Sequence, residues 1–193
     1  MGRLIVQMQS SVDGFVSADD PQQPWQVWDW SPHWTWDDAL KRDFNAVFER
    51  AECILLSRPM IEEGYLTHWS GIARLAAKRP EFAFAQRIVD LRKVVLSPKL
   101  KASRWERTEL ARGAFADEVG ALKRATRGDI LTFGGVGFAS ALLAGSLVDE
   151  LQLYVNPYAV GRGRSIFGSG RPLKLLGARP YDCGIAVSRY APA

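Results

Sequence analysis

Apolar positions along this chain follow two rhythms, and they separate strands from helices. Residues 3–9 (RLIVQMQ) form a β-branched apolar run closed by Ser10-Ser11-Val12-Asp13-Gly14, which predicts a buried first strand leaving into a turn. Residues 21–32 are polar, proline-containing and rich in tryptophan, the composition of a long loop. Ala39, Phe44, Val47 and Phe48 then recur at helical spacing behind Thr35 or Asp37 as cap, predicting a helix to about Arg50. Cys53–Ser57 reads as a second buried strand, followed by a short helix with Pro59 in its first turn and Gly64 as its stop. Pro80 starts another helix ending before Arg92; Lys93–Ser97 is a third strand stopped by Pro98, and 105–110 a fourth. Further on come a helix over 114–125, a strand over 129–133, a helix over 138–144, a long alternating strand over 148–156, and strands over 172–178 and 183–190. Strands alternating with helices and then strands in succession imply an α/β fold: a mostly parallel mixed sheet finished by antiparallel C-terminal strands, with helices on both faces.

Composition narrows this pattern. A chain of 193 residues with 47% apolar and 24% charged side chains buries an ordinary core as a single domain, 1–193, and is not of the disordered class. Its longest apolar runs are too short to cross a bilayer, and no basic segment leads into an apolar signal core, so a cytoplasmic protein with no membrane partner is expected. Cys53 and Cys183 stand far apart without a C-x-x-C or Cys/His pattern, so neither a disulfide framework nor a metal site is expected. With only His33 and His68 and no G-x-S-x-G elbow, a histidine-dependent hydrolase is improbable. Charge is uneven: residues 1–50 carry 4 basic and 8 acidic side chains, the remainder 21 and 13. In the absence of basic runs interleaved with aromatics, a small anionic ligand is preferred to nucleic acid, beside the plainer reading of a solvated basic face.

The sharpest local signal is Asp129–Phe133 running into Gly134-Gly135-Val136-Gly137. A buried strand that meets glycines at a helix start leaves backbone N–H groups unobstructed, a geometry that receives a diphosphate and equally describes a tight turn without ligand. Arg58 after the second strand and Ser97 at the end of the third fall at strand C-termini, the edge where α/β sheets bind ligands, although each also suits a structural cap or ion pair. Gly161-Arg162-Gly163-Arg164-Ser165 lacks the third glycine and the strand-helix order of a dinucleotide fingerprint and reads as a turn.

Six segments in order carry a resemblance: the first strand with Ser11-Val12-Asp13-Gly14; Leu55-Leu56-Ser57-Arg58 with Glu62; Val94–Ser97; Phe133-Gly134-Gly135; Leu147–Leu151; and Pro157 through Gly161-Arg162-Gly163 to Phe167. In these the chain resembles the dihydrofolate-reductase-like superfamily, in the branch of the C-terminal reductase domain of the bifunctional riboflavin-biosynthesis deaminase-reductase. The resemblance implies a three-layer fold and NADPH over the C-terminal edge of the sheet. Gly134, Gly135, Val136 and Gly137 match the diphosphate turn, Ser57 and Arg58 the cofactor motif after the second strand, Ser97 and Lys99 the region of the adenosine ribose phosphate. Gly14–Ser17 match the mobile loop beside the nicotinamide. Two departures stand out: Ser57-Arg58-Pro59-Met60-Ile61 stands where the family usually reads G-R-x-T-Y, so the cofactor-contacting threonine is missing, and Ser97-Pro98-Lys99 replaces a Ser-Arg pair. NADH is therefore kept beside NADPH.

Trp25, Trp28, Trp30, Trp34 and Trp36 fall within twelve residues, a density that suits a stacking wall for a planar heterocycle, a lid, or a dimer contact. Trp34 and Trp36 are the candidate substrate contacts, joined by Asp38 as an anchor, since Asp37 and Asp38 open a helix, where they equally suit capping, and relatives that reduce folates hold the pterin with a carboxylate there. Asp13, Asp37 or water supplies the proton. The reading that results is an NAD(P)H-dependent reductase of the riboflavin-biosynthesis type (5-amino-6-(5-phosphoribosylamino)uracil reductase-like), a homodimer transferring hydride to a C=N or C=O carbon of a small heterocyclic or sugar-linked substrate. Its alternatives are a non-catalytic nucleotide-binding protein on the same fold and a dihydrofolate reductase proper.

Overall fold

The computed structural model of the chain describes residues 1–19, 35–76 and 78–193, with the side chain of Ala76 also outside the description. In chain order its elements are β1 (Arg3–Ser11), β2 (Ser17–Ala18), α1 (Asp38–Val47), β3 (Ala51–Ser57), α2 (Arg58–Glu62), α3 (Tyr65–Ala76), a 3₁₀ turn (Pro80–Phe82), α4 (Ala83–Asp90), β4 (Arg92–Leu96), β5 (Thr108–Ala111), α5 (Phe115–Ala125), β6 (Asp129–Thr132), α6 (Val136–Ala144), β7 (Glu150–Asn156), β8 (Gly163–Arg164), β9 (Leu173–Pro180) and β10 (Ala186–Pro192). The chain divides into two compact units, residues 1–4 with 38–132 and residues 5–37 with 133–193, so neither is a continuous stretch of sequence.

In the first unit the strands lie in the order β5-β4-β3-β6, and every pairing is parallel. Ile54, Leu55 and Leu56 of β3 are wholly buried, the two-sided burial that parallel strands require and the reason this segment reads as a continuous apolar run. Against it packs an aromatic cluster in which Phe44 and Phe84 meet edge to face at 4.9 Å and Trp69 and Phe84 at 5.5 Å. Asn45 fastens α1 to the next helical layer: its amide donates to the Glu81 carbonyl and its oxygen accepts from the Phe84 N–H. Helix α3 corrects the sequence reading, which stopped at Gly64. That glycine adopts φ +101° and its carbonyl accepts from the His68 N–H, so it ends one helix and opens the next. Tyr65, Trp69, Ile72 and Ala73 form the buried stripe.

In the second unit β1 pairs in parallel with β7, Gln7 opposite Gln152, while β10 runs antiparallel to both β7 and β9. The fold is thus mixed α/β, mostly parallel with antiparallel C-terminal strands, as the pattern implied. Boundaries moved where the backbone turns. β5 starts at Thr108 rather than 105 because Arg107 has φ +51°, a left-handed residue that cannot continue a strand. The last two strands shift to make room for the 181–185 turn, where Gly184 has φ +88°. Two-residue strands β2 and β8 escaped sequence reading because so short a pairing leaves no periodicity.

Candidate functional site

The glycine turn lies in the second unit. Beyond Thr132 the chain passes through Gly134 at φ +149° and Gly135 at φ +73°, both sparsely accessible to L-residues, and α6 begins at Val136, two positions earlier than its apolar spacing indicated. Gly135 is the N-cap and makes no side-chain cap, so the amides of the first turn depend on something other than a side chain. A Cβ at Gly134 or Gly137 would meet nothing within 4 Å, and Gly135 and Gly137 are exposed. Backbone N–H groups at a positive helix end, facing space that glycine leaves open, fit a diphosphate.

The loop after β1 is tied down by Asp13. Its carboxylate accepts from the Ser11 hydroxyl at 2.5 Å, the Val160 N–H at 3.1 Å and the Gly161 N–H at 2.7 Å. The Ser11 hydrogen bond first, then those backbone amides, lower its pKa to about 2. Such a carboxyl carries no proton at neutral pH and serves as a latch between the 11–15 turn and the 158–161 turn. Gly14, at φ +84°, closes the former with its N–H on the Ser11 carbonyl. Further along, β2 and β8 approach so closely that a Cβ at Gly163 would lie 1.9 Å from the Ser17 carbonyl oxygen; close backbone packing, rather than phosphate binding, accounts for a glycine there.

A polar layer, which sequence reading missed, is buried in β1 and β7 and opens to solvent at Arg189 of β10. Arg189 donates to Glu150 at 2.7 Å, Gln152 to Glu150 at 2.8 Å, and the Gln7 amide to Gln152 at 2.7 Å and to the Tyr154 hydroxyl at 2.9 Å. The Glu150 anion orients both amides, since an acceptor at one end fixes the direction of each donor behind it. Gln7, 3% exposed, keeps its Oε1 without a hydrogen-bond partner among the described residues. Polar residues at period two inside apolar strands, Gln7 and Gln9 in one and Gln152 in the other, were the available signal. Trp36 stacks on Tyr154, centroids 5.7 Å apart and planes 7° apart, and is buried rather than displayed as an open wall. Asp37, half-buried, accepts from the Cys183 N–H at 3.0 Å. Trp34, with Trp25, Trp28 and Trp30, lies outside the described residues.

The remaining candidates belong to the first unit. Ser57 precedes α2 without capping it, and the Arg58 guanidinium is held by Glu62 at 2.7 Å. Ser97 is buried, its hydroxyl oxygen accepting from the Lys99 and Leu100 N–H groups at 3.2 Å each, while Lys99 is exposed. Asp38 is exposed in the first turn of α1 and pairs with Lys41 at 3.6 Å. Cys53 is buried and its thiol is pushed up to about 12 by that burial, the profile of an inert core thiol. Among the described residues no group of three or more His, Cys, Asp or Glu side chains is placed to hold a metal ion, and no helix is long and apolar enough to cross a membrane.

These features define a mixed α/β protein of the dihydrofolate-reductase-like class with an open glycine turn at the start of α6. A sequence profile of the RibD C-terminal domain matches residues 3–187, and the chain belongs to that family. A solved putative riboflavin biosynthesis protein from Shewanella sp. PV-4 superposes with a TM-score of 0.66 at 19% identity, covering 99% of both chains. The diaminohydroxyphosphoribosylaminopyrimidine deaminase/5-amino-6-(5-phosphoribosylamino)uracil reductase of Thermotoga maritima gives 0.65 at 15% identity; this chain is covered in full and spans 57% of that protein. The Bacillus subtilis (strain 168) protein YyaP, uncharacterized, is 20% identical over 97% of this chain and 94% of its own length.

Proposed function

We propose that the protein is an NADPH-dependent reductase acting on a small heterocyclic or sugar-linked substrate of the pyrimidine type, with NADH as a weaker cofactor. The observation that carries this reading is the open glycine turn, whose residues fit a dinucleotide diphosphate. Gly134, Gly135, Val136 and Gly137 would hold that group through backbone N–H, with Gly14 in the loop beside the nicotinamide. Ser57, Arg58, Ser97 and Lys99, all in the first unit, are the residues this reading proposes for nucleotide contacts there. The nicotinamide, when bound, supplies the hydride; the protein's part is to position donor and acceptor carbons and exclude water.

On the substrate side, the buried Oε1 of Gln7 is the acceptor this reading gives to a ring N–H, beside the hydroxyl of Tyr154, on whose ring Trp36 stacks. Asp13 is committed to its latch, so the proton step falls to Asp37 or water. Asp38, exposed and paired with Lys41, is at most a peripheral anchor. The family match and the reductase named in the Thermotoga protein support the oxidoreductase class. A non-catalytic nucleotide-binding protein is the second reading, and one observation favours it: Glu62 already neutralises Arg58.

Thermal unfolding with each cofactor tests the proposal. NADPH at a hundredfold excess over its dissociation constant stabilises the folded state by about 2.7 kcal/mol, a rise of roughly 5–10 °C in Tm for a chain of this size. Oxidation of NADPH followed at 340 nm with aminopyrimidine ribosyl phosphates then separates the two readings. Neither shift nor turnover with either cofactor would sink the first. A cytoplasmic homodimer belongs to the same proposal: β9 exposes Leu175 (55%) and Leu176 (44%), and a monomer by light scattering at micromolar concentration would overturn it.

A further inference from the structure

A side-chain amide is nearly symmetric in outline and opposite in chemistry at its two ends, so a buried row of amides can run in either of two directions. In the second unit the direction is set from one end. Register places Gln7 opposite Gln152 and Gln152 opposite Arg189, with Glu150 two positions away on the same face of β7. Arg189 holds the Glu150 carboxylate at 2.7 Å, and a carboxylate in such a pair accepts hydrogen bonds and donates none. Gln152 therefore turns its amide nitrogen to Glu150, at 2.8 Å, which leaves its oxygen for Gln7. Gln7 in turn spends both amide hydrogens, one on the Gln152 oxygen at 2.7 Å and one on the Tyr154 hydroxyl at 2.9 Å.

The row thus ends on an acceptor. Gln7 Oε1 is buried and has no hydrogen-bond partner among the described residues. Turning the Gln7 amide over would set its oxygen against the Gln152 oxygen, at the distance of 2.7 Å that now holds a hydrogen bond, so its orientation is imposed from Glu150 and not chosen at Gln7. A buried acceptor left open is costly. A ligand that brings an N–H to it relieves the cost, whereas one that brings a lone pair to the same point adds to it.

We propose that Glu150 is a positioning residue for substrate specificity: acting through Gln152 it fixes Gln7 as an acceptor, so that the site selects heterocycles presenting a ring N–H over rings of the same shape presenting a bare ring nitrogen. The inference rests on the proposed reductase function and adds to it a residue that decides which ring is taken through another side chain. Calorimetric titration of the 193-residue chain with uridine 5′-phosphate, whose N3 carries a hydrogen, and cytidine 5′-phosphate, whose N3 does not, tests it. The wild type is expected to bind the uridine nucleotide about tenfold tighter or more. Gln7→Leu should abolish that preference by removing the acceptor. Glu150→Leu keeps Gln7 but frees both amides to turn, and should bring the two affinities within about threefold by weakening the uridine nucleotide and strengthening the cytidine nucleotide. A general loosening of the fold would weaken both in parallel, and an unchanged NADPH affinity certifies that each variant is folded. A Glu150→Leu protein that keeps the wild-type preference, or that loses both nucleotides together, overturns the role of Glu150. Equal binding of the two nucleotides by the wild type, or binding of neither beside normal NADPH binding, overturns the inference and leaves the reductase reading standing. A wild-type chain that binds none of the three ligands removes that reading, and this one with it.

Discussion

The two ends of the glycine turn should respond to substitution with opposite signs, and that contrast isolates ligand binding from folding. Gly137 sits in the first turn of α6, outside the positive-φ region, with open space where its Cβ would be. Replacing glycine with a better helix former there gains about 0.5–1 kcal/mol, and a carboxylate near the positive helix end adds about 0.3–1 kcal/mol. Gly137→Glu should therefore raise Tm by roughly 2–5 °C. For a separation of about 5 Å between that carboxylate and a diphosphate on the turn, like charges repel by about 1–3 kcal/mol at an effective dielectric between 80 and 20, weakening NADPH binding roughly 5- to 150-fold. Gly135→Ala is the counterpart: at φ +73° a Cβ costs about 1–2 kcal/mol and lowers Tm, whatever binds. Differential scanning fluorimetry and titration with NADPH, both on the apo variants, give the two numbers. A Gly137→Glu protein that melts higher and binds NADPH like the wild type would refute the diphosphate assignment, because a turn with no ligand predicts the gain without the loss.

Two further outcomes follow from groups whose titration is displaced. Asp13→Asn should speed amide hydrogen exchange at Val160 and Gly161; in the wild type the carboxylate's contribution is complete above pH 3.8 and is lost as pH falls through about 2, so slow exchange that persists in the variant at neutral pH would deny the latch. Lys93, 1% exposed in β4 with its ammonium on the Val89 carbonyl, has its pKa lowered to about 8 by burial, which costs the folded state about 3 kcal/mol wherever both states are protonated. The unfolded chain holds that proton up to about pH 10.5, so the penalty is full below pH 8 and fades as pH rises. Lys93→Met should be more stable than the wild type at pH 7 and lose that advantage by pH 10; a constant difference across this range in urea denaturation would refute the attribution.

What could be read from the sequence was set by which physical signal each part of the fold leaves. Parallel strands buried on both faces write continuous apolar runs, so Cys53–Ser57 and Lys93–Ser97 were placed to within two residues of Ala51–Ser57 and Arg92–Leu96. Positions requiring glycine write glycine, so the turn at 134–137 was found, although α6 claimed Val136 and Gly137 because a capless N-terminus leaves no Ser, Thr, Asp or Asn to mark its start. Helix α3 was missed because Gly64 was given one role when its backbone fills two, closing α2 and opening α3.

The proposed substrate side was illegible for a different reason. Gln7 and Gln152 lie 145 positions apart, and nothing local in either strand says that register will set them side by side or that Glu150 will orient both. Backbone-determined binding leaves its mark in one short segment, because the residues that allow it are neighbours in the chain. Side-chain recognition is assembled by strand pairing, so its residues are dispersed and individually ordinary. A departure from the expected Ser-Arg spacing is thus weak evidence of lost cofactor binding in a parallel sheet.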